Sequence, residues 1–259
     1  MRIRAPLIWF ATVAVLAALA AGRYALQRDA LRRIVQTQCL VSFRLRGDPA
    51  PCARVVLPAT GDATQGFAVL KDRKPGVHFL LIPTRTLTGI ESAALLDAAA
   101  PNYFAAAWGA RDLLEQWYGH PLPRDALGLA VNPHTARGQD QLHIHMECVG
   151  QLLEHTLAMQ AEQLGTAWTT VQIGGRPFRA RRLMGETLAG TDPFHLLAQQ
   201  LPGTRPRLDR YTLIVAGRTF RAGPGFVLLA GRGAPGGETL LDAGCAVVKP
   251  PGVPPGIRP

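Results

Sequence analysis

Stretches of two-residue and 3.6-residue hydrophobic period alternate along this chain, and they predict a mixed α and β protein. Residues 66–72 and 77–83 alternate as two strands, and the intervening Arg-Lys-Pro-Gly carries the turn chemistry of a hairpin. Residues 101–119 give the clearest helix: Tyr103, Ala107, Ala110, Leu114 and Trp117 recur every three or four positions, and Gly119 stops it. A strand over 125–132, a loop over 133–138 and a half-buried strand ending at Val149 follow. Beyond them the pattern predicts helices over 152–165 and 193–201 and strands over 210–217 and 225–231. Before the hairpin, residues 24–39 read as an amphipathic helix and 40–65 as loop rich in Pro, Gly and Thr. The tail from Val247 to Pro259 is Pro-rich and expected to be disordered, and no internal repeat is present.

The N-terminus changes the picture from soluble to membrane-linked. Eighteen uncharged residues, Ala5 to Gly22, approach the roughly 20 needed to span a bilayer. Arg2 and Arg4 before them favour a cytoplasmic N-terminus. An uncleaved anchor is expected; Ala18-Leu19-Ala20 leaves a cleaved signal peptide as the rival, and both export the rest of the chain. Four cysteines suit export: local pairing gives Cys39–Cys52 and leaves Cys148–Cys245. The absence of any Cys-x-x-Cys pair speaks against a zinc site built on cysteine. The net charge of +10 suits phosphate-bearing or anionic-surface partners, while the scattered arginines give no nucleic-acid footprint.

The candidate chemistry lies in the strand before Val149. Its polar positions carry Gln141, His143, His145 and Glu147, all on one face, because side chains two apart on a strand point the same way. Three uses compete for such a pair of histidines: a metal site with Glu147 as third ligand, a structural polar pair, or a histidine nucleophile held in one tautomer by its neighbours. Residues alone leave all three open. The Gly-rich run at 231–237 has no helix after it, so it is not read as a phosphate loop. His120, His134, His155 and His195 have no partner in sequence and are read as structural.

The ordered set "VLKD", "VHFLLIP", a helix, "LAVN", Gly138-Gln139 and "HIHMECV", spanning roughly residues 66–149, resembles the histidine-triad superfamily. More narrowly, the N-terminal apolar run, the Cys39–Cys52 spacing, "LLIPT", "PNYF…AWGARD", "HIHMEC", "DPFHLLAQQLPG" and a late cysteine resemble the bacterial CDP-diacylglycerol pyrophosphatase family over nearly the whole chain. The resemblance implies an α+β fold: an antiparallel sheet with flanking helices, preceded by a transmembrane helix. Its expected organisation is an anchor at 1–24, a linker helix and disulfide loop at 25–65, a catalytic core at 66–149, a C-terminal extension at 150–246 packed on that core, and a tail at 247–259.

It also implies an inner-membrane, single-pass enzyme facing the periplasm, which splits CDP-diacylglycerol into CMP and phosphatidate without metal or cofactor. In the favoured register His143 is the first triad residue, His145 the middle one and nucleophile, and Glu147 stands where the family pattern has a third histidine. The other register centres on His143, with Gln141 first. Gln139, His143, Lys71 and Arg137 are the expected donors to phosphate, Asp72 lies where the superfamily has an acid near the ribose, and Asn132 ends its strand near the nucleotide. His78 occupies a position where the superfamily often has histidine, but the favoured reading is a satisfied core histidine. Other nucleotide conjugates as substrates, nucleotidyl transfer, and a non-catalytic module binding anionic lipid are the alternatives.

Overall fold

The computed structural model describes residues 25–233 and 235–248; the expected anchor at 1–24 and most of the expected tail lie outside them. Among the described residues no helix is long and apolar enough to cross a membrane. The fold is α+β, built on one antiparallel sheet in the order β1-β2-β3-β5-β4-β8-β9-β7-β6, with β10 paired to β5. The strands are β1 (Arg54–Val56), β2 (Phe67–Lys71), β3 (Phe79–Pro83), β4 (Leu127–Val131), β5 (Ile144–Val149), β6 (Thr169–Ile173), β7 (Arg176–Met184), β8 (Tyr211–Phe220), β9 (Gly223–Arg232) and β10 (Leu241–Asp242). Helices α1 (Ala30–Arg33) and α2 (Leu40–Arg46) are joined by a π-helical stretch, Ile34–Cys39; α3 (Tyr103–Gly109), α4 (Asp112–Tyr118), α5 (Gln151–Gln160) and α6 (Pro193–Gln200) follow.

Several elements depart from the sequence pattern. The helix expected to stop at Cys39 runs on through Arg46 and ends on Gly47 in the left-handed region, so the expected loop at 40–65 is part helix and part strand. Its apolar positions Val35, Cys39 and Leu40 pack on β1–β3, and Cys39 is bonded to Cys52 as expected. The long helix at 101–119 is two, broken at Ala110, which leaves Trp117 half exposed while Tyr103, Ala107 and Leu114 are buried. The hairpin β6–β7 has no counterpart in the sequence reading. Its signal was Gly174-Gly175 between alternating residues: both glycines have positive φ, which a two-residue turn matched to strand twist requires.

The two faces of the sheet are unlike. One is mainly apolar: Val69, Phe79, Leu81, Leu129, Ile144, Met146, Leu213 and Leu228 meet α3, α4 and α6 in one core. The other face holds two separate apolar patches. Ala68, Leu80 and Ile82 lie under the N-terminal helices, and Ala130, Val149, Ile214, Val227 and Phe178 lie under α5 and the turn after it. Parity along β3, β4 and β5 assigns His78, Asn132, His145 and Glu147 to the gap between them. All six residues of β5 are buried, which corrects the expectation of a half-buried strand. The polar half is covered because residues 235–245 cross back over it, pair Leu241 and Asp242 with Val149 and Cys148, and end in the Cys148–Cys245 disulfide.

Candidate active site

Four segments converge on the gap. Strand β5 supplies His145 and Glu147. The β2–β3 loop supplies Asp72 and His78, closed by the Asp72 N–H donating to the His78 carbonyl at 3.1 Å. Asn132 follows β4. The strap over 235–245 supplies Glu238 from a short 3-10 turn, Gly237–Leu240. Two glycines let the strap sit this close. A Cβ on Gly236 would lie 2.6 Å from the Asn132 side chain, and one on Gly237 2.5 Å from Thr212. The run dismissed as a phosphate loop is therefore the backbone that carries a carboxylate to the site.

His145 is the hub. Its Nδ1 lies 3.0 Å from His78 Nε2 and 3.3 Å from Glu238 Oε2, and its Nε2 lies 3.3 Å from Asn132 Nδ2. His78 Nε2 is also 3.1 Å from Glu147 Oε1, and His78 Nδ1 is 3.1 Å from Asp72 Oδ2, though not aligned as a hydrogen bond. The His143 ring meets the His145 ring edge-on at 5.0 Å, and its Nδ1 donates to the Gln141 carbonyl at 2.7 Å.

Burial sets the charge states. Desolvation holds His145 well below the usual histidine value, with His143 and His78 adding to the effect. Desolvation lowers His143 as well, against the pull of the Gln141 carbonyl. His78 falls to about 4 through desolvation, which outweighs Asp72. Glu147 rises to about 8, again through desolvation, with Lys74 opposing. At neutral pH the three imidazoles are uncharged and Glu147 keeps its proton.

That count gives one consistent pattern. His78 Nε2, which lies 3.0 Å from His145 Nδ1 and 3.1 Å from Glu147 Oε1, acts as the acceptor, so the His78 proton sits on Nδ1, towards Asp72. Because the Asn132 amide donates to His145 Nε2, the His145 proton sits on Nδ1 and donates to His78 Nε2 at 3.0 Å, with Glu238 Oε2 3.3 Å from the same nitrogen. The Asn132 carbonyl oxygen accepts in turn from the Glu238 backbone N–H at 3.4 Å.

The other expected site residues are placed differently. Gln139 accepts from the Leu31 N–H and donates to the Gln27 carbonyl, tying the N-terminal helix to the loop before β5. The Arg137 guanidinium is buried against Glu91, at 2.6 and 2.7 Å, with Asp140 beyond. Gln141 is wholly buried and donates to the Pro83 and Arg85 carbonyls. Lys71 pairs with Phe79 across the strands and so projects from the opposite face, its ammonium 4.8 Å from the Trp117 ring centre. These four brace the walls rather than point at His145. Lys74 brings a cation to the cluster, 3.6 Å from Glu238.

Two site residues escaped the sequence reading: His78, which was weighed as core, and Glu238, which is 93 residues from His145 in the chain and has no local signal. Ligand atoms of His78, His145 and Glu147 lie within 4.8 Å of one another, so the cluster has the geometry to hold a metal ion as well as to move protons.

Such a cluster, with a neutral imidazole backed by a carboxylate and faced by an amide, defines an acid–base or nucleophilic centre on an α+β scaffold. The family model described as CDP-diacylglycerol pyrophosphatase matches residues 26–249. A protein of Yersinia pestis named CDP-diacylglycerol pyrophosphatase is 38% identical over 249 residues, 92% of this chain and 93% of the relative. The chain belongs to the CDP-diacylglycerol pyrophosphatase family.

Proposed function

We propose that the chain hydrolyses the pyrophosphate bond of CDP-diacylglycerol, giving CMP and phosphatidate, in phospholipid metabolism. The His145 Nε2 lone pair attacks the nucleotide phosphorus; a nitrogen–phosphorus bond forms as the bridging phosphorus–oxygen bond breaks, and phosphatidate leaves. Water then cleaves the nucleotidyl-histidine and frees CMP. The observation that carries this reading is the setting of His145: uncharged by burial, with its Nδ1 bonded to His78 and 3.3 Å from Glu238, and its Nε2 free to bond once Asn132 turns its amide to the phosphate. As the ring gains positive charge in the intermediate, Glu238 stabilises it. Lys74, the Asn132 amide and the His143 edge offset the phosphate charge, so the scheme runs through this chain's own residues and without a metal.

An inner-membrane anchor, with the catalytic part facing the periplasm, belongs to the same proposal. It would hold the enzyme where its lipid-tailed substrate resides, and tethering raises the effective concentration of the substrate. The two disulfides agree with an oxidising compartment.

CMP release from CDP-diacylglycerol, measured with and without a chelator, tests substrate and metal independence together. His145→Ala is expected to lower kcat by about 10³-fold or more. Quenching the reaction in its first turnover and mapping the labelled nucleotide should place it on His145. Label on His143 would overturn this register, and turnover that collapses with chelator would point to the metal-holding geometry of the same cluster.

A further inference from the structure

The strap over 235–245 has a second side. Its residues Gly236, Gly237 and Leu240 form one wall of a cavity of about 210 Å³ between the start of α5 and the tip of the β6–β7 hairpin. The other walls are Leu152, Ile173 and Phe178, with Arg176 also lining it. Ile173 and Phe178 belong to the apolar patch on the same sheet face as His145, and Leu152 is half exposed beside the opening. Gly174 keeps that opening clear: a Cβ there would lie 3.0 Å from the Leu152 side chain.

Three features bear on what would occupy it. The wall is shared with the reaction centre, because Gly236 lies against Asn132, whose amide is 3.3 Å from His145. Its side chains are apolar apart from the Arg176 guanidinium and the Thr239 hydroxyl, with the backbone of Gly174, Gly236 and Gly237 completing the lining. Leu152 leaves apolar surface unburied at the edge, where a small apolar group gains by covering it.

We propose that this cavity is an acyl-chain subsite, taking part of one hydrocarbon tail of the substrate while the nucleotide end lies against His145. The inference rests on the liponucleotide reading above and adds to it where the tail goes. A cytidine or phosphate group would leave its polar atoms unpaired against Ile173 and Phe178; a hydrocarbon chain would not. The strap thus acts at both ends of one molecule, presenting Glu238 to the histidine and an apolar wall to the lipid. Arg176, which also lines the cavity, would meet an ester oxygen of the same substrate.

The test compares CDP-glycerol, which has no tails, with CDP-dihexanoylglycerol used below its micelle-forming concentration, so that no lipid surface is involved. The parent enzyme should turn over the tailed compound with the higher kcat/KM. Leu152→Asp puts a charge at the opening and Leu152→Trp fills it; because Leu152 is half exposed, neither change disturbs a packed core. Each should reduce the tailed-to-tailless ratio of kcat/KM on the order of tenfold, since each buried methylene group contributes strongly to transfer from water. An unchanged ratio in both variants, or no preference for the tailed compound in the parent, overturns the subsite. Failure of the parent to release CMP from either compound would instead overturn the proposed activity.

Discussion

At the scale of single residues, the site works through opposite responses to one cause. Burial removes charge from His145, His78 and His143, and it keeps the proton on Glu147. The pH dependence of stability follows from the signs. His78, held near 4 when folded and near 6.5 when unfolded, contributes stability above 6.5 that is lost as pH falls towards 4. Glu147, held near 8 when folded and 4.5 when unfolded, contributes stability at low pH that is lost as pH rises from 4.5 through 8. The two oppose each other between 4.5 and 6.5, and Glu147 alone acts from 6.5 to 8. Thermal unfolding should therefore show Tm declining over that upper window. In Glu147→Gln, which keeps the shape of the side chain and cannot ionise, the decline should flatten; a parent Tm that stays level to pH 9 would contradict the raised Glu147. For catalysis, the depressed His145 keeps its lone pair below pH 6.5, so kcat should hold on the acid side well past the ordinary histidine value.

At the scale of elements, the strap and the β2–β3 loop hold each other in place. The Val77 N–H donates to the Ala243 carbonyl at 2.7 Å, and Gly76 is needed there because a Cβ would lie within 2.2 Å of that oxygen. The Gly150 N–H donates to the Leu240 carbonyl at 2.8 Å, and Cys148–Cys245 anchors the strap's end to β5 beside Glu147. That bond joins residues 97 apart, a separation at which loop entropy makes a cross-link worth up to about 4–5 kcal/mol against the unfolded chain. Cys245→Ser should lower stability by that order. It should also lower kcat disproportionately, because the segment bearing Glu238 loses its tether. A Cys39→Ser/Cys52→Ser variant should lose stability with little change in kcat. Equal loss of kcat in both variants would show that the strap has no special part in the reaction.

At the scale of the whole molecule, the nine-strand order interleaves the two halves of the chain. The sequence reading set a core at 66–149 beside an extension at 150–246, yet β4 pairs with β8 along Gly128–Val131, and β10 pairs with β5. The apolar face is likewise one core running from Val69 to Leu228. A fragment of residues 25–149 would leave the β4 edge unpaired and half of that core in water. It should therefore show no cooperative unfolding transition, whereas the full chain should show one; a fragment with its own sharp transition would mark 66–149 as an independent unit.

How much of this was legible in sequence depends on range. The hairpin β2–β3, the strand carrying His143 and His145, Asn132 at the end of β4 and both cysteine pairings were readable, because strand period, turn chemistry and cysteine parity are local or countable properties. The helix past Cys39 was missed because Pro and Gly farther on coloured the reading of a stretch whose helical face, Val35, Cys39 and Leu40, is buried by β1–β3. Gln139, Arg137 and Lys71 were chosen for charge and nearness in sequence; packing assigns their polar ends to Leu31, Glu91 and the Asp72 carbonyl.

The order of residues by itself determined that two histidines would stand on one face of a strand among polar neighbours, and that the chain belongs with liponucleotide pyrophosphatases. Only the tertiary structure decided which side of the sheet each donor faces, that His78 and Glu238 join His145, and that burial removes charge from the imidazoles and leaves it off Glu147. The reason is physical. Side-chain alternation is written into neighbouring residues, but desolvation and cross-strand distance depend on what lies opposite, and here that partner arrives from a strap some 90 residues away in the chain.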